Sequence, residues 1–228
     1  MQYANFITPE CAGYIMQEDT SSGQVFPRIF YQGKVFGTPT TPDHALFSRS
    51  NLREFRVQGV QPKCSWDLIF RKPNAHEDHA NVTGTVTVGG NVLAVEGSGR
   101  VESAAEFERP DETGLAHAQY HEKELAFFYR PSGARVWFRG EPLVLRDAVV
   151  ESSPDSLSIL TRDYEVAVAV QTLQHDVVPV FSSPPRYTLS QELVRYRGVL
   201  RHQGKLLHTF SGLGFQERVM KNYGTAQI

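Results

Sequence analysis

Glu217 follows Phe215 by two positions in the run Gly212-Leu213-Gly214-Phe215-Gln216-Glu217. Residues two apart in an extended chain point the same way, so if Phe215 faces an apolar hollow, the carboxyl of Glu217 faces it too. A carboxyl held among aromatic rings and away from water keeps its proton to higher pH than a solvated one and can serve as a general acid. Tyr196, on the adjacent extended run, offers a phenol, and His208, in line with Leu206 and Phe210, offers an imidazole on an otherwise apolar face. Glu217, Tyr196 and His208 are therefore the candidate catalytic residues, for chemistry that needs a proton or a hydrogen bond in a dry place. Trp66, Trp137, Tyr164 and Phe215 are the candidate substrate-binding residues, because aromatic faces line apolar pockets and tolerate developing positive charge. Each has a plainer reading. Glu217 serves equally well as a partner for Arg218 or as an acceptor for backbone N–H groups, His208 as a hydrogen-bonded core histidine, and the tryptophans as core.

The elements that must position these residues are repeated. Gly97, Gly99 and Glu102 precede Gly212, Gly214 and Glu217 by 115 positions each, about half of the 228-residue chain. In each copy a glycine (Gly84, Gly198) opens an extended run, a second (Gly90, Gly204) supplies a turn, and another run leads to the glycine pair, as a β-hairpin requires. Glycines at alternate strand positions mark a bulge or a close backbone crossing, and either sets the direction of the side chain that follows. Glu102 has Arg100 and Val101 where its counterpart has aromatic company, and reads as the more structural acid. The duplication predicts an N-terminal barrel or half-barrel over 1–110, with a wrapping N-terminal segment, and a second over 111–228.

Residues 1–45 mix Gly, Pro, Thr and Gln with scattered aromatics, which predicts irregular chain with one short strand at 28–31. Residues 64–72 alternate Trp66, Leu68 and Phe70 with Ser65, Asp67 and Arg71, the pattern of a half-buried strand. The stretch 115–128 is open to either a short helix or a strand. From residue 125 onward runs of strand composition recur at hairpin spacing, and the one at 163–171 sets Tyr164, Val166, Val168 and Val170 on one face. At 176–188 a loop is expected, whose Pro179, Pro184 and Pro185 bar a central strand. Ten or more short strands with at most one short helix make an all-β protein, an antiparallel barrel or a pair of them.

Composition excludes several classes. With 23 basic and 25 acidic residues there is no electrostatic footprint for nucleic acid. No run approaches the length of a membrane span, and the N-terminus lacks a secretory pattern, so a cytoplasmic protein is expected. Cys11 and Cys64 have no metal-ligand spacing and read as reduced thiols. His76 with His79, and His117 with His121, have spacings that suit a metal, but no third ligand accompanies them and solvated loops account for them better. No nucleophile elbow, phosphate loop or dinucleotide fingerprint is present. Neither a metal nor a cofactor is expected, and the oligomeric state is left open.

The two hairpin copies, with Ser65-Trp66-Asp67 ahead of the first and Tyr196-Arg197-Gly198 opening the second, resemble the lipocalin-like family of bacterial AttH proteins, carotenoid hydratases, tocopherol cyclase and fungal Diels–Alderases. The likeness rests on Tyr196, Gly198, Gly212, Gly214 and Glu217, with Phe215 where the family favours tyrosine, and Arg197 where it favours a Trp-Glu pair. It covers about fifty residues. The resemblance implies two lipocalin-like halves and an apolar pocket that binds or cyclises a hydrophobic small molecule without a redox cofactor. The function expected on this basis is a cofactor-independent cyclase or isomerase of natural-product biosynthesis, or a hydratase. A non-catalytic carrier or lipid-binding stress protein on the same scaffold is the alternative.

Overall fold

The computed structural model describes residues 2–17, 24–41, 45–73, 79–103, 114–143, 145, 147–180 and 187–221, with side chains outside the description at 102–103, 177–180, 187–189 and 220–221. Every regular element among them is a β-strand. The chain divides into two compact units, Met1–Phe107 and Glu108–Ile228.

The first unit contains β1 (Gln2–Ile7), β2 (Cys11–Gln17), β3 (Val25–Tyr31), β4 (Lys34–Phe36), β5 (Ala45–Arg49), β6 (Glu54–Gln61), β7 (Cys64–Arg71), β8 (His79–Val88) and β9 (Asn91–Ser103). The second contains β10 (Leu115–His121), β11 (Leu125–Arg130), β12 (Gly133–Phe138), β13 (Glu141–Pro142), β14 (Val149–Ser152), β15 (Ser156–Leu160), β16 (Tyr164–Val180), β17 (Tyr187–His202) and β18 (Lys205–Lys221). Each unit is one nine-stranded antiparallel sheet. The orders are β4-β3-β2-β1-β9-β8-β7-β6-β5 and β13-β12-β11-β10-β18-β17-β16-β15-β14, so strand n of the first unit has strand n+9 as its counterpart in the second. In both, the first strand of the unit pairs with its last, which joins two meanders into one continuous sheet. The duplication expected from the glycines is thus carried by the whole topology, a two-repeat lipocalin-like all-β fold.

The turns obey local chemistry. Val88 pairs with Asn91 across Gly89 and Gly90, whose φ values are 56° and 87°, and His202 pairs with Lys205 across Gln203 and Gly204, at 48° and 77°. Two-residue hairpin turns with both central φ values positive match the twist of the strands, and a glycine in each makes that conformation inexpensive. The paired glycines at 97/99 and 212/214 do something different. A Cβ on Gly214 would lie 2.1 Å from the Tyr196 ring, and one on Gly99 would lie 2.2 Å from the Asn5 carbonyl oxygen. Of the two roles open to them, close approach is the one they fill, and the ladder runs through them without a register shift.

Each sheet buries one face in a packed core. In the first unit Phe6, Ile15, Ile29, Val57, Trp66 and Phe70 meet there, and in the second Tyr120, Phe127, Val166, Tyr196, Leu200 and Phe210. Burying such side chains contributes about 1.5–3 kcal/mol each.

Three expectations change. Residues 1–45 hold four strands and the start of a fifth, not irregular chain with one short strand, because β1 and β2 are buried on both faces and show no alternation to read. The stretch 115–128 forms β10 and β11, and β10 again is buried on both faces. Pro179 lies inside β16, paired with Thr188 of β17. At that end β15 has already stopped, so among the described residues β16 has a neighbour on one side only, where proline is tolerated. Pro184 and Pro185, with residues 74–78 and 104–113, lie outside the described residues.

Candidate active site

The second face of the β10–β18 region is buried as well, and it is polar. Alternation places Ala118 and Tyr120 of β10 in the core and turns His117 and Gln119 the other way. On β18 it places Phe210 in the core and turns Phe215 and Glu217 away from it. The pairing of first and last strand then brings these positions into register. His117 faces Glu217 and Gln119 faces Phe215, while β17 sets Gln191 beside Glu217 and Leu193 beside Phe215. Phe128 of β11 faces Gln119. A one-residue bulge at Ala116 lets Leu115 return to the core face without disturbing this alignment.

The result is an acid and a base enclosed by apolar and amide side chains. Nδ1 of His117 lies 3.8 Å from Oε1 of Glu217, with the two side chains 0% and 1% exposed. The imidazole packs against the Phe128 ring at 4.8 Å between centroids, and the Arg130 guanidinium lies 5.5 Å from the centroid of that ring. Phe215, Gln119, Gln191 and Leu193 are all buried. His117, Gln119, Arg130, Gln191 and Glu217 all have interaction partners. An isolated charge in such a place would cost several kcal/mol, which favours states in which the two groups are charged together, as an ion pair, or neutral together.

Of the seven residues singled out from the sequence, this site unites Glu217 and Phe215. Tyr196 lies on the core face of the same sheet; its ring covers Gly214, and its hydroxyl donates to the carbonyl oxygen of Phe215 at 3.0 Å. Burial pushes its phenol well above the usual range, so it is a hydrogen-bond donor with no ready ionisation. His208 points with Phe210, as alternation requires, but not with Leu206, because an extra residue at Leu207 turns Leu206 outward to 59% exposure. His208 and Glu217 are nine positions apart along β18, roughly 30 Å of strand, and the two face opposite ways. His208 is held instead by Glu122 at 2.7 Å and by Glu124 at 3.7 Å. Tyr164 is at the same end of the unit, stacked on His202 at 4.7 Å. Trp137 is half-buried on β12, on the face away from the core residue Val136. Trp66 is in the core of the first unit, 3% exposed, and its indole N–H makes no hydrogen bond among the described residues. His208 and Tyr164, at the far end of the unit, are not part of the site around Glu217.

His117 and His121, expected in solvated loops, both lie in β10, and His117 is fully buried beside Glu217. The missed signal is a second repeat: Tyr3-Ala4-Asn5-Phe6 of β1 corresponds to His117-Ala118-Gln119-Tyr120 of β10. In the first unit Tyr3 pairs with Glu102, and Asn5 with Arg100, the counterparts of the pairs at Glu217 and Phe215. There the Asn5 amide donates to the Tyr3 hydroxyl at 3.1 Å, Tyr3 stacks on Tyr14 at 6.4 Å, and Arg100 sits 5.8 Å from the Tyr3 ring centroid. The Glu102 side chain lies outside the described residues. His79 begins β8, and among the described residues no three His, Cys, Asp or Glu side chains gather as a metal site. No helix among them is long and apolar enough to cross a membrane.

No family model matches the sequence, and no curated protein does. Solved structures do match. A structure of CghA with Sch210972 aligns over 96% of this chain and 87% of its own, with a TM-score of 0.54 and 10% identity. A second structure of CghA aligns over the same shares with a TM-score of 0.55 and 11% identity. A structure assigned to AttH, from Nitrosomonas europaea, covers 96% of this chain and 91% of its own at a TM-score of 0.47 and 12% identity, and at that score adds nothing to the comparison. At these identities the likeness concerns the fold: this chain is built as CghA is built.

Proposed function

We propose that the protein is a cofactor-independent cyclase or isomerase acting on an apolar small-molecule intermediate of natural-product biosynthesis, with Glu217 and His117 as its acid–base pair. The observation that carries this reading is the enclosed carboxyl–imidazole pair, 3.8 Å apart and at most 1% exposed. Phe128 and Phe215 stand on the two sides of Gln119 in the same row. Closing a ring in an apolar chain, shifting its double bonds or adding water to one calls for a donor that protonates or hydrogen-bonds the substrate where water does not compete. Aromatic faces then stabilise positive charge as it develops. CghA has been solved with Sch210972, which supports ligand binding as a use of this fold. In this reading Tyr196 is a positioning residue, since its hydroxyl holds the carbonyl of Phe215, two residues before Glu217. His208 has no part in it.

The test is to supply the purified protein with the acyclic apolar product of enzymes encoded beside it and follow conversion by liquid chromatography and mass spectrometry. Glu217→Gln, which keeps the shape of the side chain, should lower turnover by about 10²-fold or more while the melting curve and ligand retention stay unchanged. Turnover retained in that variant would remove the acid–base assignment. Tight binding with no conversion by the unaltered protein would instead identify a carrier.

A further inference from the structure

We propose that the turn joining β5 to β6, together with the end of β7, forms a binding site for a small oxyanion, a phosphate or pyrophosphate group. The site is in the first unit and is independent of the reading given above. An open cleft of about 510 Å³ is lined there by Asn51, Leu52, Arg53, Glu54, Arg71 and Lys72. Arg49 stands beside it at the end of β5. Four cationic side chains meet one carboxylate, on a protein whose overall formal charge is −2.

Two features distinguish this cluster from an ordinary solvated patch. Lys72 is only 8% exposed, yet it makes no ion pair among the described residues, and its ammonium lies 5.2 Å from the centroid of Phe55. The Arg49 guanidinium lies 5.2 Å from the same centroid, so two like charges share one ring within about a Debye length of each other. Cation–π attraction offsets only part of the repulsion between two like charges on one ring. An anion in the cleft would offset the rest.

The donors are also partly held in place. Arg71 is fixed by Glu54 at 2.9 Å, and Arg53 donates to the carbonyl oxygen of Pro73 at 3.1 Å. Asn51 accepts from the backbone N–H groups of Arg53 and Glu54 at 2.8 and 3.0 Å, which orders the turn. Each guanidinium keeps further N–H groups for a ligand, and oxyanions of phosphorus accept several charge-assisted hydrogen bonds at once.

Calorimetric titration of the full chain with inorganic pyrophosphate, in low salt, tests the site. Saturable one-to-one binding is expected, weakened about tenfold or more in both Lys72→Met and Arg53→Gln. Lys72→Met keeps the buried stem, and Arg53 is exposed on a turn, so at least the second variant folds. Co-sedimentation with phosphatidylcholine vesicles, with and without phosphatidic acid, separates the sources of the anion. Association with the acidic vesicles alone, lost in both variants, would assign the site to a lipid headgroup, whereas pyrophosphate binding assigns it to a free ligand. Absence of both, or binding that neither substitution weakens, overturns the proposal.

Discussion

Glu217 of β18 stands directly across the ladder from His117 of β10, carboxyl to imidazole at 3.8 Å, and both side chains are essentially removed from water. The pair is assembled from residues one hundred positions apart in the sequence, by the strand pairing that joins the two meanders of the unit. Removing one member of a buried pair leaves the other with its desolvation uncompensated. Glu217→Ala and His117→Ala should each destabilise the protein by about 3–5 kcal/mol, and the double substitution by clearly less than their sum. Urea unfolding of the three variants measures the coupling, and strict additivity would mean that the two side chains do not interact.

Tyr196 and Glu217 lie on opposite faces of the sheet, and the hydroxyl of Tyr196 on the carbonyl of Phe215 links them through the backbone. Tyr196→Phe should therefore cost about 1–2 kcal/mol of stability, the cost of leaving a buried carbonyl with one acceptor site unused. Once folded, the variant should bind ligand as well as the parent. Loss of turnover with a changed pH profile and no loss of stability would make the phenol a direct participant instead.

Gly214 exists because of the ring that covers it. A methyl group there would lie 2.1 Å from the Tyr196 ring and 2.6 Å from the carbonyl oxygen of Gln119. One neighbour is locked in the core and the other is backbone, so neither can yield cheaply. Gly214→Ala should destabilise by about 3 kcal/mol or more, at the upper end of overpacking effects. Gly90→Ala, in a hairpin turn with nothing within 4 Å, should cost only about 1 kcal/mol of backbone strain. Thermal melts of the two variants compare these outcomes directly.

Stability should fall on mild acidification. Burial holds the His121 imidazole below its ordinary pKa of 6.5, although the charge of Glu122 works against that shift. The unfolded chain therefore takes up a proton near pH 6.5 while the folded chain does so only at lower pH, and acid favours the unfolded state over that interval. The melting temperature should drop between pH 7 and pH 5.5, and less steeply in His121→Gln. A second loss begins as the pH falls through the ordinary carboxylate range and is complete only lower, where Asp67, held low by hydrogen bonds from Arg56 at 2.8 and 2.7 Å, is itself protonated. That side chain is 41% exposed, so its share is under about 1 kcal/mol. A melting temperature flat from pH 7 to 5.5 would contradict the assignment to His121.

What the sequence by itself determined is everything with a short period. The glycine turns at Gly90 and Gly204, the duplication about the middle of the chain, the all-β character and the common orientation of Phe215 and Glu217 follow from spacings of one to a few residues, or from repetition of such spacings. The strands β1, β2 and β10 escaped because burial on both faces leaves no contrast between neighbours, and the alternation by which a strand is read disappears. Parity says that Phe215 and Glu217 agree, and that Gly212 and Gly214 disagree with them. It does not say which set meets the core. That choice depends on register against β10 and β17, where a slip of one residue exchanges the faces of a strand, and it was decided by the packing of Tyr196 onto Gly214 and of Tyr120 beside Phe210. The same long-range pairing, absent from any local pattern, turned Glu217 away from Tyr196 and toward His117.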